Sequence, residues 1–246
     1  LQALELKAQI MMRAIILTVL TLAIPLAGVP LTAVAQTKPV RDPVPTEAGT
    51  SPKSLAVPPA GKIAKPNATE TAIFAGGCFW CTEFAFEQLD GVVDVESGYS
   101  GGTKATANYD QVHLGNTHHA EAIRVTYDST KITYAELLDV FFDSHSPTQL
   151  NRQGEDVGRQ YRSAIFFANK DQQAQAKAKI ADLEAKRVYK KKIMTKIEPL
   201  EAFYPAEAYH QDFARKNPFS PYIQGHAVPK AYKIRTKHPE LIKKPE

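Results

Sequence analysis

Both cysteines and the only tryptophan of this 246-residue chain lie in one octapeptide, Gly76-Gly-Cys-Phe-Trp-Cys-Thr-Glu83. Two thiols separated by two residues can close a small disulfide, and a Cys-x-x-Cys pair at a helix start commonly contains one thiol of lowered pKa. Redox chemistry is therefore the first expectation. The other common use of such a pair is half of a structural zinc site, which takes four ligands, usually completed by a second Cys pair or a spaced His pair. The chain has no further cysteine to complete one.

An element has to position those thiols. Thr71 to Ala75 reads as a short apolar strand, Gly76-Gly77 as a tight turn, and Thr82 to Leu89 as a helix. Cys78 then sits at the helix start, where unpaired N–H groups and the positive end of the helix dipole favour its thiolate. Cys81 follows one turn later on the same face. Val92 to Gly98 and Ala120 to Tyr127 alternate as half-buried strands, and Arg162 to Phe167 and Lys196 to Leu200 read as two more. Tyr134 to Ser144 and Asp171 to Lys192 have the pattern of amphipathic helices. Strands and helices alternate without an internal repeat, as in an α/β or α+β domain.

Two long loops, between Gly98 and His119 and between His145 and Tyr161, hold the other chemically capable residues. Long ordered loops in compact domains are usually functional. The first leads through Tyr109, His113, His118 and His119 to Glu121; the second carries Asn151 to Asp156 and ends at Tyr161. Each histidine or tyrosine taken singly fits equally well a hydrogen-bonded core or surface role. Glu121 stands apart, because Ala120, Ala122 and Ile123 flank it. A carboxylate in apolar company costs free energy unless it is protonated or paired, so its pKa rises.

The first seventy residues differ in kind. Met12-Arg13, an apolar run from Ala14 to Gly28 and the Ala-x-Ala-like ending at Ala35 have the layout of a secretory signal peptide cleaved after Ala35, with an uncleaved membrane anchor as the competing use. Residues 1–35 are thus read as an N-terminal extension and signal peptide, which places the protein in the periplasm or outside the cell. Residues 36–69, rich in Pro, Lys, Thr and Ala, read as a flexible linker. Residues 70–228 form the ordered domain and 229–246 a basic tail. The net charge is +4, with lysines crowded at Lys190–Lys192 and after Lys230. Such runs are usually solvated faces, and no basic groove interleaved with stacking aromatics accompanies them, so nucleic acid is not an expected partner.

Six motifs together resemble the A-type peptide methionine sulfoxide reductases. They are the Gly-Cys-Phe-Trp at Gly77–Trp80, Gly98-Tyr-Ser-Gly-Gly102, His119-Ala-Glu-Ala122, Asn151-Arg-Gln-Gly154, Gly158 to Ile165, and Ala206-Glu-Ala-Tyr-His-Gln211, in family order between Thr71 and Gly225. The resemblance implies a two-layer mixed-sheet α/β domain with a ferredoxin-like core. It implies Cys78 as nucleophile, Phe79 and Trp80 as rings holding the substrate methyl group, and Tyr109, Glu121, Asp156 and Tyr161 around the sulfoxide oxygen. It further implies reduction of the S epimer without metal, flavin or nicotinamide, and recycling by an external thioredoxin-like dithiol. A monomer repairing oxidised methionines of exported proteins is the expectation. Family members often carry glycine where Cys81 stands and keep resolving cysteines elsewhere. Here Cys81 alone can resolve, so the disulfide must be local.

Overall fold

The computed structural model describes residues 69–244. The expected signal peptide and, apart from Thr69, the expected linker lie outside the described residues. The chain forms β1 (Thr69–Gly76), α1 (Phe79–Glu87), β2 (Val92–Ser100), α2 (Tyr109–His113), β3 (Ala120–Asp128) and α3 (Tyr134–Ser144). A short hairpin of β4 (Arg152–Gln153) and β5 (Asp156–Val157) follows, then β6 (Ser163–Phe167), α4 (Lys170–Ala185), β7 (Lys196–Pro199) and β8 (Phe203–Pro205). The described chain closes with α5 (Phe213–Lys216), a π-helical turn (Ile223–Ala227) and α6 (Val228–Lys237).

Six strands make one sheet in the order β7-β6-β1-β3-β2-β8. Strand β1 runs antiparallel to both β3 and β6, and β2 antiparallel to β3 and β8; β7 joins β6 in parallel. Hence β1 and β2 are parallel with β3 between them, and β3 and β6 are parallel with β1 between them. These two interlocked split βαβ units, β1-α1-β2 and β3-α3-β6, are the ferredoxin-like core the motifs imply.

Side-chain alternation explains why β1 lies at the centre. Ala72 and Phe74 point to the helical layer, where the Phe74 ring lies 5.0 Å from Phe141 and 5.6 Å from Phe86. Ile73 and Ala75 point to the other face and join Ala120, Ala122, Ala164 and Phe166 under Leu200 and Phe203. A strand covered on both faces reads as a continuous apolar run. Each large side chain buried there contributes about 1.5–3 kcal/mol. Helix α3 begins with a capping box: the Thr133 hydroxyl accepts the Glu136 N–H at 3.2 Å, and the Glu136 carboxylate accepts the Thr133 N–H at 2.7 Å.

Several elements differ from the sequence reading, among them α2 inside the first long loop and the strand β8. Helix α4 ends at Ala185 rather than Lys192, with Arg187 left-handed at φ 51°; beyond it Val188 is exposed, and Tyr189 and Ile193 pack on the core from irregular chain. The second long loop contains β4 and β5, two residues each, too short to show periodicity. Residues 229–244 are not a loose basic tail. Ala227, Ala231 and Ile234 form a buried stripe at i, i+4 and i+7 against α1 and α3, and Leu89 pairs with Ile242. The lysines occupy the outer face of that amphipathic helix and hide its stripe in the composition.

Candidate active site

The site starts from a turn only glycine fits. Gly77 has φ +94°, and a Cβ there would fall 2.6 Å from the Cβ and Cγ of Gln153. Gln153 in turn clamps Ser146, accepting its N–H at 2.9 Å and donating to its carbonyl at 3.2 Å. The turn entering α1 is thereby fitted against the hairpin that presents Asp156. Cys78 is the N-cap of α1, and its carbonyl accepts both the N–H and the hydroxyl of Thr82, each at 3.2 Å. The next N–H, that of Phe79, donates to the Glu121 carboxyl of β3 at 3.0 Å.

A cavity of about 150 Å³ opens here. Cys78, Phe79 and Trp80 line it from the start of α1, and Tyr109, Glu121, Asp156 and Tyr161 from α2, β3, β5 and the turn before β6. All seven were named from the sequence. Cys81 does not reach the cavity; it lies beneath Cys78, wholly enclosed, and both thiols are free.

One lining residue escaped the sequence reading. Tyr222, just before the π-helical turn, donates from its hydroxyl to Asp156 Oδ2 at 2.8 Å and sets its ring edge-on to Trp80 at 6.0 Å. No local pattern marks it. The motif at Ala206–Gln211 was legible, but its task was not. Trp80 Nε1–H donates to His210 Nδ1 at 3.1 Å, and its ring stacks on Phe213 at 3.8 Å. Glu207 accepts the Tyr99 hydroxyl and the Tyr109 N–H, each at 2.9 Å. The loop histidines prove structural: His119 Nε2 meets the Thr103 carbonyl at 3.0 Å, and His145 lies between the Phe141 carbonyl and Ser163, its pKa pushed down by burial to about 3.

Burial sets the charge state. Glu121 is 2% exposed, and burial first, then the charge of Cys78, push its carboxyl well above the usual range, against the Phe79 N–H. That environment favours the protonated carboxyl. Burial also raises Tyr109 and Tyr161, with Glu121 adding to both, so each keeps its hydroxyl proton. Cys78 departs from the expectation of a lowered pKa at a helix start. Burial raises it, and the hydrogen bond and charge of Cys81 raise it further. The same hydrogen bond lowers the Cys81 thiol, with help from the charge of Lys230. The Tyr222 hydroxyl and the Cys81 N–H at the helix start pull the other way, and desolvation outweighs both.

Residues 70–241 match the family described as Peptide methionine sulfoxide reductase. The chain belongs to the A-type peptide methionine sulfoxide reductases. It is 51% identical to Peptide methionine sulfoxide reductase MsrA 2 of Synechocystis sp., over 71% of this chain and 82% of that one. It is 52% identical to the MsrA of Haloquadratum walsbyi, over 71% of this chain and 99% of that one. Among solved structures it resembles reduced Mxr1 from Saccharomyces cerevisiae at TM-score 0.59 and 37% identity, covering 66% of this chain and 93% of that one. It also resembles methionine sulfoxide reductase A of Corynebacterium diphtheriae at TM-score 0.55 and 34% identity, covering 63% and 78%. This methionine sulfoxide reductase is thus a thiol-dependent oxidoreductase.

Proposed function

We propose that the cavity reduces the S epimer of methionine sulfoxide, free or in proteins, with Cys78 as nucleophile and Glu121 as acid. The observation that carries this reading is a thiol and a buried carboxyl lining one small cavity beside two aromatic rings. Sulfoxide sulfur is a poor electrophile until its oxygen gains a proton or strong hydrogen bonds. Phe79 and Trp80 take the methyl group, while Glu121 and the hydroxyls of Tyr109 and Tyr161 meet the oxygen. Cys78 passes its proton to Cys81 through the hydrogen bond between them and attacks sulfur. Glu121 protonates the sulfoxide oxygen as the bond between the two sulfurs forms; the hydroxyl then passes from the methionine sulfur to Cys78 Sγ as that bond breaks, so methionine leaves with its electron pair and Cys78 is left as a sulfenic acid. Cys81 then attacks that sulfur, water leaves, and the two cysteines are joined.

A thioredoxin-like dithiol returns the pair to thiols by exchange. The signal-peptide layout of residues 12–35 supports placing this work outside the cytoplasm, on oxidised methionines of exported proteins, where a dedicated reductant must keep the pair reduced. The reading is tested by assaying both epimers of a blocked methionine sulfoxide with dithiothreitol as reductant. Reduction of the S form alone supports it, and reduction of neither sinks it.

A further inference from the structure

The two sulfurs are unequally reachable. Cys78 is 5% exposed and opens on the cavity, whereas Cys81 is 0% exposed. Its cover is the apolar cluster that it shares with Cys78, made with Ala214 from α5 and Ile223 and Ala227 from the π-helical turn, with Phe84 and Val228 packed against it. This cover is built into the core at both ends. Before it, Phe213 stacks on Trp80; after it, the turn runs directly into α6, whose Ala231 and Ile234 are buried.

Thiol–disulfide exchange depends on which sulfur the incoming thiolate can approach, because attacker, attacked sulfur and leaving sulfur must line up. A thiolate that reaches Cys78 comes through the cavity with Cys81 behind. One that reaches Cys81 would have to pass through Ala214, Ile223 and Ala227. We propose that the dithiol protein that resets this enzyme enters through the substrate cavity and attacks Cys78, so that substrate and reductant use one opening in turn. The proposal rests on the reading above, in which a Cys78–Cys81 disulfide is the oxidised product.

The exchange balances as follows. The reductant's thiolate bonds to Cys78 Sγ, the Cys78–Cys81 bond breaks, and Cys81 leaves with the electron pair. The reductant's second thiol, as thiolate, then attacks its own sulfur in the mixed disulfide and releases Cys78. The reductant ends as a disulfide, and its two protons end on the enzyme's sulfurs. Cys81 suits the leaving role, since the charge of Lys230 favours its thiolate and does not depend on a proton on Cys78, and a thiol of lower pKa leaves faster.

The test begins with the full chain oxidised by one equivalent of blocked methionine-S-sulfoxide and mapped for the Cys78–Cys81 disulfide. Its absence counts against the proposed function, not against the route of reduction. The oxidised enzyme is then mixed with a thioredoxin whose second active-site cysteine is replaced by serine, acid-quenched at the earliest times, alkylated and digested. The expected adduct joins thioredoxin to Cys78 and leaves Cys81 alkylated. Blocked sulfoxide present at ten times its dissociation constant should slow adduct formation by about tenfold, because it occupies the same opening. An early adduct on Cys81, no adduct at all, or a rate indifferent to the sulfoxide overturns the proposal.

Discussion

Glu121→Gln separates a proton donor from a hydrogen-bond donor at the same place. Glutamine has the shape of a neutral carboxyl, and its amide oxygen can keep the Phe79 N–H that Glu121 now accepts at 3.0 Å. The start of α1 and the Cys78 turn should therefore stand. The amide can still donate a hydrogen bond to the sulfoxide oxygen but has no proton to give. General acid catalysis contributes typically 10²–10⁴-fold. The rate of methionine release in a single turnover should thus fall by roughly 10²-fold or more, equivalent to about 2.7 kcal/mol at about 1.36 kcal/mol per decade. Phe79 and Trp80 are untouched, so KM should stay within roughly threefold, the pattern of an interaction made mainly in the transition state. The pH dependence gives a second signature. Burial and the charge of Cys78 hold the Glu121 pKa well up, so the wild-type step is fully supplied with acid below that pKa and loses about tenfold per pH unit above it. The variant should lack that alkaline loss. Chemical-quench single turnovers across pH measure both quantities. An unchanged rate in Glu121→Gln, or an alkaline loss that survives the substitution, refutes the acid role.

Further outcomes follow from the same geometry. Cys81→Ser should release about one methionine per enzyme and stall as a sulfenic acid detectable by trapping, while Cys78→Ser releases none; loss of the burst in Cys81→Ser would refute the order of steps. Gly77→Ala forces a side chain into φ +94° and against Gln153. It should cost about 1–3 kcal/mol of stability by denaturant titration and lower kcat/KM with it; a wild-type value of both would show that the turn is not constrained. Glu83 lies buried, accepting the Asp212 N–H at 3.2 Å, and burial first, then the charges of Glu87 and Asp212, push it up to about 8. The folded chain keeps a proton that the unfolded chain releases near 4.5, so this contribution to stability is lost as pH rises through that window. Glu83→Gln should flatten the decline, with the Tm of the variant gaining on wild type between pH 5 and 8; a constant Tm difference would remove Glu83 as the cause.

Legibility followed sequence distance and periodicity. The octapeptide was readable because strand, glycine turn and helix start are contiguous, and Glu121 because a lone acid among Ala120, Ala122 and Ile123 is chemically conspicuous. The central strands were readable as well, since burial on one or both faces leaves a pattern a few residues long. Tyr222 was not readable. Its partners, Asp156 and Trp80, lie far away in the chain, and a tyrosine before a π-helical turn has no local mark. The last helix was misread because Ala231 and Ile234 are a sparse stripe among lysines. The burial of Cys78 was hidden for a different reason. A helix start acts locally and is visible in sequence, whereas the desolvation that outweighs it comes from Ile223 and its neighbours, more than a hundred residues downstream.

That reversal bears on where the helix start does its work. The charge of Cys78 is the second cause of the Glu121 shift, after burial. A resting site with a thiolate and a carboxylate side by side is therefore disfavoured, and one with a thiol and an acid is not. In the proposed reaction, however, negative charge moves from the Cys78 side to Glu121 as the acid gives up its proton to the oxygen. The group that receives that charge already holds the Phe79 N–H at 3.0 Å, at the positive end of α1. The helix end therefore acts on both groups: the Cys81 N–H favours charge on the sulfur, and the Phe79 N–H favours the charge that reaches the carboxylate after proton transfer. Stabilisation of the second kind appears only as the barrier is crossed, which is what accelerates a chemical step.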